Sequence, residues 1–233
     1  REMCNYYLNY DFSIVLTLLL CLYGIIGTFV SERETQMDML LLVSPNGGRK
    51  TALAKILAAT LFLLLTSLWF SLLDLIGFAA SFQTFEGLAL PVFAIPNFAE
   101  VSVNLSIFQY VLLSAALKCA GTWVIGMLWL LVSMFWKNAL LPFVIDFALC
   151  MALTVSGAAC AYSNFFWTKV LNPYSLLTNR VLLGKTEFVN LGGFPVLTWQ
   201  AAIWFALIAG LAAAAMIYFL SAENCHRCVR RAK

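Results

Sequence analysis

Ser31–Lys55, SERETQMDMLLLVSPNGGRKTALAK, is a polar and amphipathic island between two long apolar runs, and its reading decides the fold. Ser31 followed three residues later by Glu34 has the spacing of a capping box, in which hydroxyl and carboxylate satisfy each other's backbone N–H groups. Glu32 and Glu34 in the first turn would suit the positive end of a helix dipole. Met37, Leu40 and Leu41 then fall on one face, as in a short helix lying flat on a membrane surface or a protein. Pro45-Asn46-Gly47-Gly48 stops it and turns the chain, and Arg49, Lys50 and Lys55 lead into the next apolar run. The expectation is a surface helix that begins at Ser31 and meets a partner. The plainer alternative is an ordinary charged loop.

Outward from the island the composition sets the class. Hydrophobic residues make up 63% of the 233 and charged residues 11%, with a mean hydropathy of +0.90. Soluble domains carry about a quarter charged residues, so this is an integral membrane protein. Apolar runs occur at residues 10–30, 52–80, 105–136, 139–162 and 197–220. Each has the roughly 20 residues that a helix needs to cross a bilayer. Lipid offers the backbone no hydrogen-bond partner, so the runs must be helical. The expected fold is all-α: one polytopic transmembrane bundle over 1–233, with five spans.

Lysine and arginine orient it. With the island cytoplasmic, the inner side holds nine of them (Arg33, Arg49, Lys50, Lys55, Lys137, Arg227, Arg230, Arg231, Lys233). The outer side holds four (Arg1, Lys169, Arg180, Lys185), and Lys118 lies within a span. That satisfies the positive-inside rule and predicts a cytoplasmic C-terminus. An odd number of spans puts Arg1 outside without a signal sequence, so a preceding span is expected in the full protein. The loop 81–104 lacks basic residues and carries Phe82, Phe85, Phe93 and Phe98, which points to the outer interface. The external loop 164–196 could hold a short helix half-sunk in the outer leaflet, a re-entrant element or a plain ordered loop.

Three ionisable side chains fall inside spans: Asp74, Lys118 and Asp146. Each costs about 2.5–3.5 kcal/mol at the bilayer centre on insertion scales, so each should face the bundle interior or water. Asp74 shares a helical face with Ser67 and Ser71, and Lys118 shares one with Ser114 and Thr122. The two are expected to pair, either to fix helix register or as part of a polar translocation seam. Asp146, near the inner end of its span, is the less suited partner. Cys225-His226-Arg227-Cys228 has half the ligands of a zinc site, and no second pair completes it, so no metal is expected. The sequence has no glycine loop of the nucleotide-binding kind, no His-Glu metal motif and no nucleophile elbow. The chain is read as a non-enzyme without a cofactor of its own, and nothing points to nucleic acid.

The order of a span, Val30-Ser31-Glu32-Arg33-Glu34, a leucine-rich short helix, Ser44-Pro45 and a basic turn ending in Lys55 resembles the type-2 ABC exporter permeases. The Leu171-Asn172-Pro173-Tyr174 segment also resembles that family's short helices dipping into the outer leaflet. The resemblance implies that residues 31–48 are a coupling helix docking on a cytoplasmic ATP-binding subunit through Glu32, Arg33, Glu34, Met37, Leu40 and Leu41. It implies six spans with the first missing here, a dimer with a second permease copy, and ATP and Mg bound by the partner subunit. The localisation it implies is the bacterial cytoplasmic membrane. Two other classes remain open on the residues alone: a membrane sensor or assembly scaffold, and an ion-coupled carrier using Asp74, Lys118 and Asp146.

Overall fold

A computed structural model describes residues 2–37, 49–82, 86–95, 98, 105–136, 138–162, 166–178, 182–184, 186–191 and 193–231. Of these, 2–4, 86–87, 160–162, 166, 191 and 222–231 are described by backbone alone. The helices are α1 (Glu2–Leu8), α2 (Phe12–Glu34), α3 (Arg49–Phe82), α4 (Ile107–Ser133), α5 (Leu140–Tyr162), α6 (Phe166–Leu171) and α7 (Thr198–Arg231). Short 3-10 turns occupy Glu86–Ala89, Val92–Ala94 and Pro173–Leu176. A two-stranded antiparallel hairpin joins β1 (Phe188–Leu191) to β2 (Phe194–Leu197). Five helices (α2, α3, α4, α5 and α7) are long and apolar enough to cross a membrane. The chain is an all-α, multi-pass bundle.

Several hydroxyls within the spans are satisfied by their own helix. Thr17, Thr60 and Thr122 each donate to the carbonyl four residues back, at 2.8–2.9 Å. The central element is α4, which packs against α2, α3, α5 and α7. It is the most enclosed span and α5 the least, 61% and 17% buried. A capping box does start α4: Gln109 N donates to Ser106 Oγ at 3.3 Å, and Ser106 N donates to Gln109 Oε1 at 3.1 Å.

The box expected at Ser31 does not form. Helix α2 runs through Ser31 to Glu34, and the Ser31 hydroxyl donates to Gly27 O at 2.6 Å. Nothing between Val30 and Glu34 breaks a helix, so propagation costs less than nucleating a second one. Glu32 and Glu34 therefore lie at the negative end of a helix dipole, and other groups must offset that. Thr35 follows as the C-cap, and Gln36 takes a left-handed φ of 56°. The expected helix face at Met37, Leu40 and Leu41 lies mostly in 38–48, outside the described residues; Met37 is exposed.

At the opposite end, which we call the hairpin end, α1 and the 86–98 segment fold onto α3 and α4. Tyr7 meets Phe78 edge-on at 5.8 Å, and Phe98 meets Tyr110 at 5.5 Å. Val92, Ile95 and Phe98 are buried there with Leu8 and Ile107, while Phe93 is exposed. Residues 166–177 of the loop 164–196 fold back against α4, α5 and α7, and we call this segment re-entrant for that packing alone. Asn172 caps the 3-10 turn by accepting from Tyr174 N at 3.0 Å, and its Nδ2 donates to Ser156 Oγ (2.9 Å) and Leu153 O (3.1 Å) of α5. Leu176 and Leu177 are buried in the bundle, and Lys169 Nζ binds Glu187 at 2.8 and 2.9 Å, tying α6 to the hairpin.

Candidate functional site

Three spans each turn an i, i+4 pair of polar side chains toward one small cavity: Ser13 and Thr17 from α2, Ser67 and Ser71 from α3, Lys118 and Thr122 from α4. Ile14, Phe70 and Leu177 complete its walls, Leu177 coming from the re-entrant segment. The space is about that of one water molecule. Ser13 opens α2, while Ser71 lies eleven residues before the end of α3 and Lys118 eleven after the start of α4. At 1.5 Å per residue the cavity is thus about 16 Å below the hairpin end of α3 and α4. Helix α1 packs on α3 at the hairpin end.

Lys118 is the buried cation of this site, 7% exposed. Asp74 and Asp11 lie close enough for their charges to act on it. Among the described residues Lys118 and Asp74 form no ion pair, so the expected pairing is not made as a direct contact; the sequence does not single out Asp11. Asp74 is half-buried and interacts in addition with the Ser13 hydroxyl. An ammonium has three donors and no acceptor, so two carboxylates and a ring of hydroxyl oxygens suit it. Tyr7 of α1 packs on Phe78; burial, and next the charge of Asp74, push its phenol up to about 12. Tyr174 of the re-entrant turn is pushed up too, first by burial and then by Asp11 and Cys150.

The other sequence-derived candidates gather at the far end of the bundle. Glu32 is ion-paired with Lys55 of α3, whose Nζ also lies 4.1 Å from the centre of the Phe29 ring. Arg33 Nη1 donates to Trp136 O at 2.9 Å, and Glu34 Oε1 accepts from Ala139 N at 3.0 Å. Three consecutive side chains so bind α2 to α3 and to the connection between α4 and α5. These bonds, with Arg33 in the last turn, offset the unfavourable placing of two carboxylates at a helix C-terminus.

Asp146 joins neither group. It is wholly buried on α5, and neither carboxylate oxygen has a hydrogen-bond partner among the described residues. No group of three His, Cys, Asp or Glu side chains among the described residues is placed to hold a metal ion. The side chains of Cys225, His226 and Cys228 lie outside the described set. No family model and no curated protein matches this sequence.

Proposed function

We propose that this chain is the membrane-spanning subunit of an ATP-driven exporter, working with a separate cytoplasmic ATP-binding subunit and a second permease copy. ATP and Mg would be bound by the partner, and the Glu32 end of the bundle would face the cytoplasm of a bacterial cell. The observation that carries this reading is the set of bonds made by Glu32, Arg33 and Glu34. A push on the segment between α2 and α3 reaches four spans at once through those bonds. That is the mechanical requirement for turning closure of an ATPase into movement of a bundle. Since the three side chains are engaged within the chain, contact with the ATPase falls to residues 37–48. Leu41→Asp tests it: the variant should insert at wild-type level and fail to retain an ATP-binding subunit in pull-down from native membranes. Undiminished retention, or no nucleotide-binding protein with the wild type, would overturn the proposal.

A second reading, an ion-coupled carrier, is favoured by Lys118 in its polar cavity between α2, α3 and α4. Uptake or efflux by vesicles driven by an imposed ion gradient, without nucleotide, separates it from the first.

A further inference from the structure

The carboxyl of Asp146 is used by neither site, and its setting is unusual for its helix. Pro142, Asp146 and Gly157 are the buried positions of α5, and Leu149, Cys150 and Leu153 are partly buried along the same stripe. The neighbours on either side, Phe143, Val144, Ile145 and Phe147, are open to lipid. Asp146 thus points into the bundle from the span with the least contact to it, 0% exposed.

Elements α2, α4, α6 and the Pro173–Leu176 turn pack against α5. The titratable groups they carry include Cys21, Tyr23, Glu32, Arg33 and Glu34 on α2, and Tyr110, Lys118 and Cys119 on α4. Tyr174 and Lys169 complete the set, with Cys150 one turn along α5 itself. None of them is hydrogen-bonded to either carboxylate oxygen of Asp146. Lys118 lies in the polar cavity, while Arg33 is bonded to Trp136 and Lys169 to Glu187. An ionised carboxylate enclosed in apolar surroundings without a cation or a donor is strongly disfavoured, and such a group neutralises instead.

We propose that Asp146 is an intramembrane proton-binding site. One oxygen holds a proton while α5 is seated against α2 and α4. When α5 moves and water reaches the site, the proton passes to water and leaves a carboxylate. The carboxylate takes a proton back before the helix can reseat. Protonation of this one group and the seating of α5 are then linked equilibria, whichever partner drives the bundle.

Infrared difference spectra of the full-length protein in vesicles at pH 7.5 test the protonation directly. The expected result is the carbonyl band of an un-ionised carboxylic acid in wild type, shifted in D2O and missing from Asp146→Asn. Identical carboxylic-acid bands in the two proteins would overturn the proposal. Should Asp146→Asn not accumulate, wild type is treated with dicyclohexylcarbodiimide, which adds to neutral carboxyls in apolar surroundings. The peptide spanning residue 146 is then read by mass spectrometry. Modification at 146 that falls as pH rises supports the site, and a residue 146 left unmodified across that range overturns it.

Discussion

Glu34 and Ala139, 105 residues apart, are joined by a hydrogen bond of 3.0 Å from the backbone N–H of one to the carboxylate of the other. The bond holds the last turn of α2 against the entry to α5, at a place where Ala139 N is too early in the helix to find a carbonyl four residues back. Glu34 thereby serves α5 as a helix N-terminal acceptor while sitting at the C-terminus of its own helix. Glu34→Ala removes the acceptor. Because the bond is exposed to solvent, the loss in overall stability should stay under about 1 kcal/mol. Hydrogen exchange should show the effect locally, with the Ala139 amide exchanging faster while the centre of α4 stays protected. Unchanged exchange at Ala139 would mean that the link carries nothing.

Lys55 binds the Glu32 carboxylate and also stands over the Phe29 ring, so it carries more than its bond to Glu32. Lys55→Met should therefore lower the melting temperature in detergent more than Glu32→Gln. The double variant should come within about 0.3–0.5 kcal/mol of Lys55→Met alone, since the ion pair is already lost there. A double variant whose loss is the full sum of the two single losses would mean that the pair contributes nothing.

Lys118 shares its end of the cavity with the charges of Asp74 and Asp11. Lys118→Met takes away the one cation acting on both carboxylates and should cost more than either carboxylate change alone. Asp74→Asn leaves Lys118 with Asp11 and should cost less. The double change should recover part of the Lys118→Met loss. Losses that add within about 0.5 kcal/mol would show that the two charges do not act on each other.

The spans were legible because hydropathy and length are demanded by lipid itself; α3 and α5 begin and end within three residues of the expected bounds. The shared faces of Ser67, Ser71 and Asp74 and of Lys118 and Thr122 were legible from helical spacing, so two of the cavity's three polar sides could be anticipated, while Ser13 and Thr17 of α2 were not singled out. Asp11 was not, because its role depends on α2 beginning part-way down the bundle, a tertiary fact. Ser31 misled for a physical reason. A serine that precedes Glu by three can cap a helix or sit inside one, and the choice is made by the unbroken apolar run before it. The hairpin was missed although its signal was present: Gly192-Gly193 lies between the short runs FVNL and FPVL, and Gly193 takes a φ of 99°. Nothing marks the Glu34–Ala139 bond in sequence, since it joins residues that only the folded bundle brings together.

Tyr7 gives the pH dependence. Its phenol is neutral when protonated, and burial followed by the negative charge of Asp74 raises it to about 12 from the ordinary 10.0. A group raised in the folded state contributes stability that is fully present below its unfolded value and is lost as pH rises through its folded value. Docking of α1 should therefore hold to about pH 10 and weaken between about 10 and 12. Ultraviolet titration of the detergent-solubilised protein should show reduced tyrosine ionisation amplitude near pH 12 in Tyr7→Phe. Asp74→Asn should shift the Tyr7 component only slightly, because burial is the larger cause. A large shift would make the Asp74 charge the main one.

The re-entrant turn is seated on a glycine. A Cβ built at Gly157 of α5 would stand 2.6 Å from Cδ1 of Tyr174 and 3.5 Å from Nδ2 of Asn172. The first distance is well inside contact, and the ring cannot simply swing away. Tyr174 follows Pro173, and its backbone N–H is held by Asn172, whose side chain is itself bonded to Leu153 and Ser156 of α5. A methyl group at 157 must therefore lift the whole turn, including Leu177 where it walls the cavity beside Lys118. Gly157→Ala should cost about 1–3 kcal/mol, the range for overpacking a well-filled site, against the small gain in helix propensity. Removing the ring should relieve the clash. Tyr174→Ala combined with Gly157→Ala should thus lose clearly less than the sum of the two single changes, by about 0.5 kcal/mol or more. The readout is thermal melting in detergent, with labelling of a cysteine introduced at Leu177 to report lifting of the turn. If Gly157→Ala melts like wild type and leaves residue 177 as protected as before, the turn does not rest on Gly157.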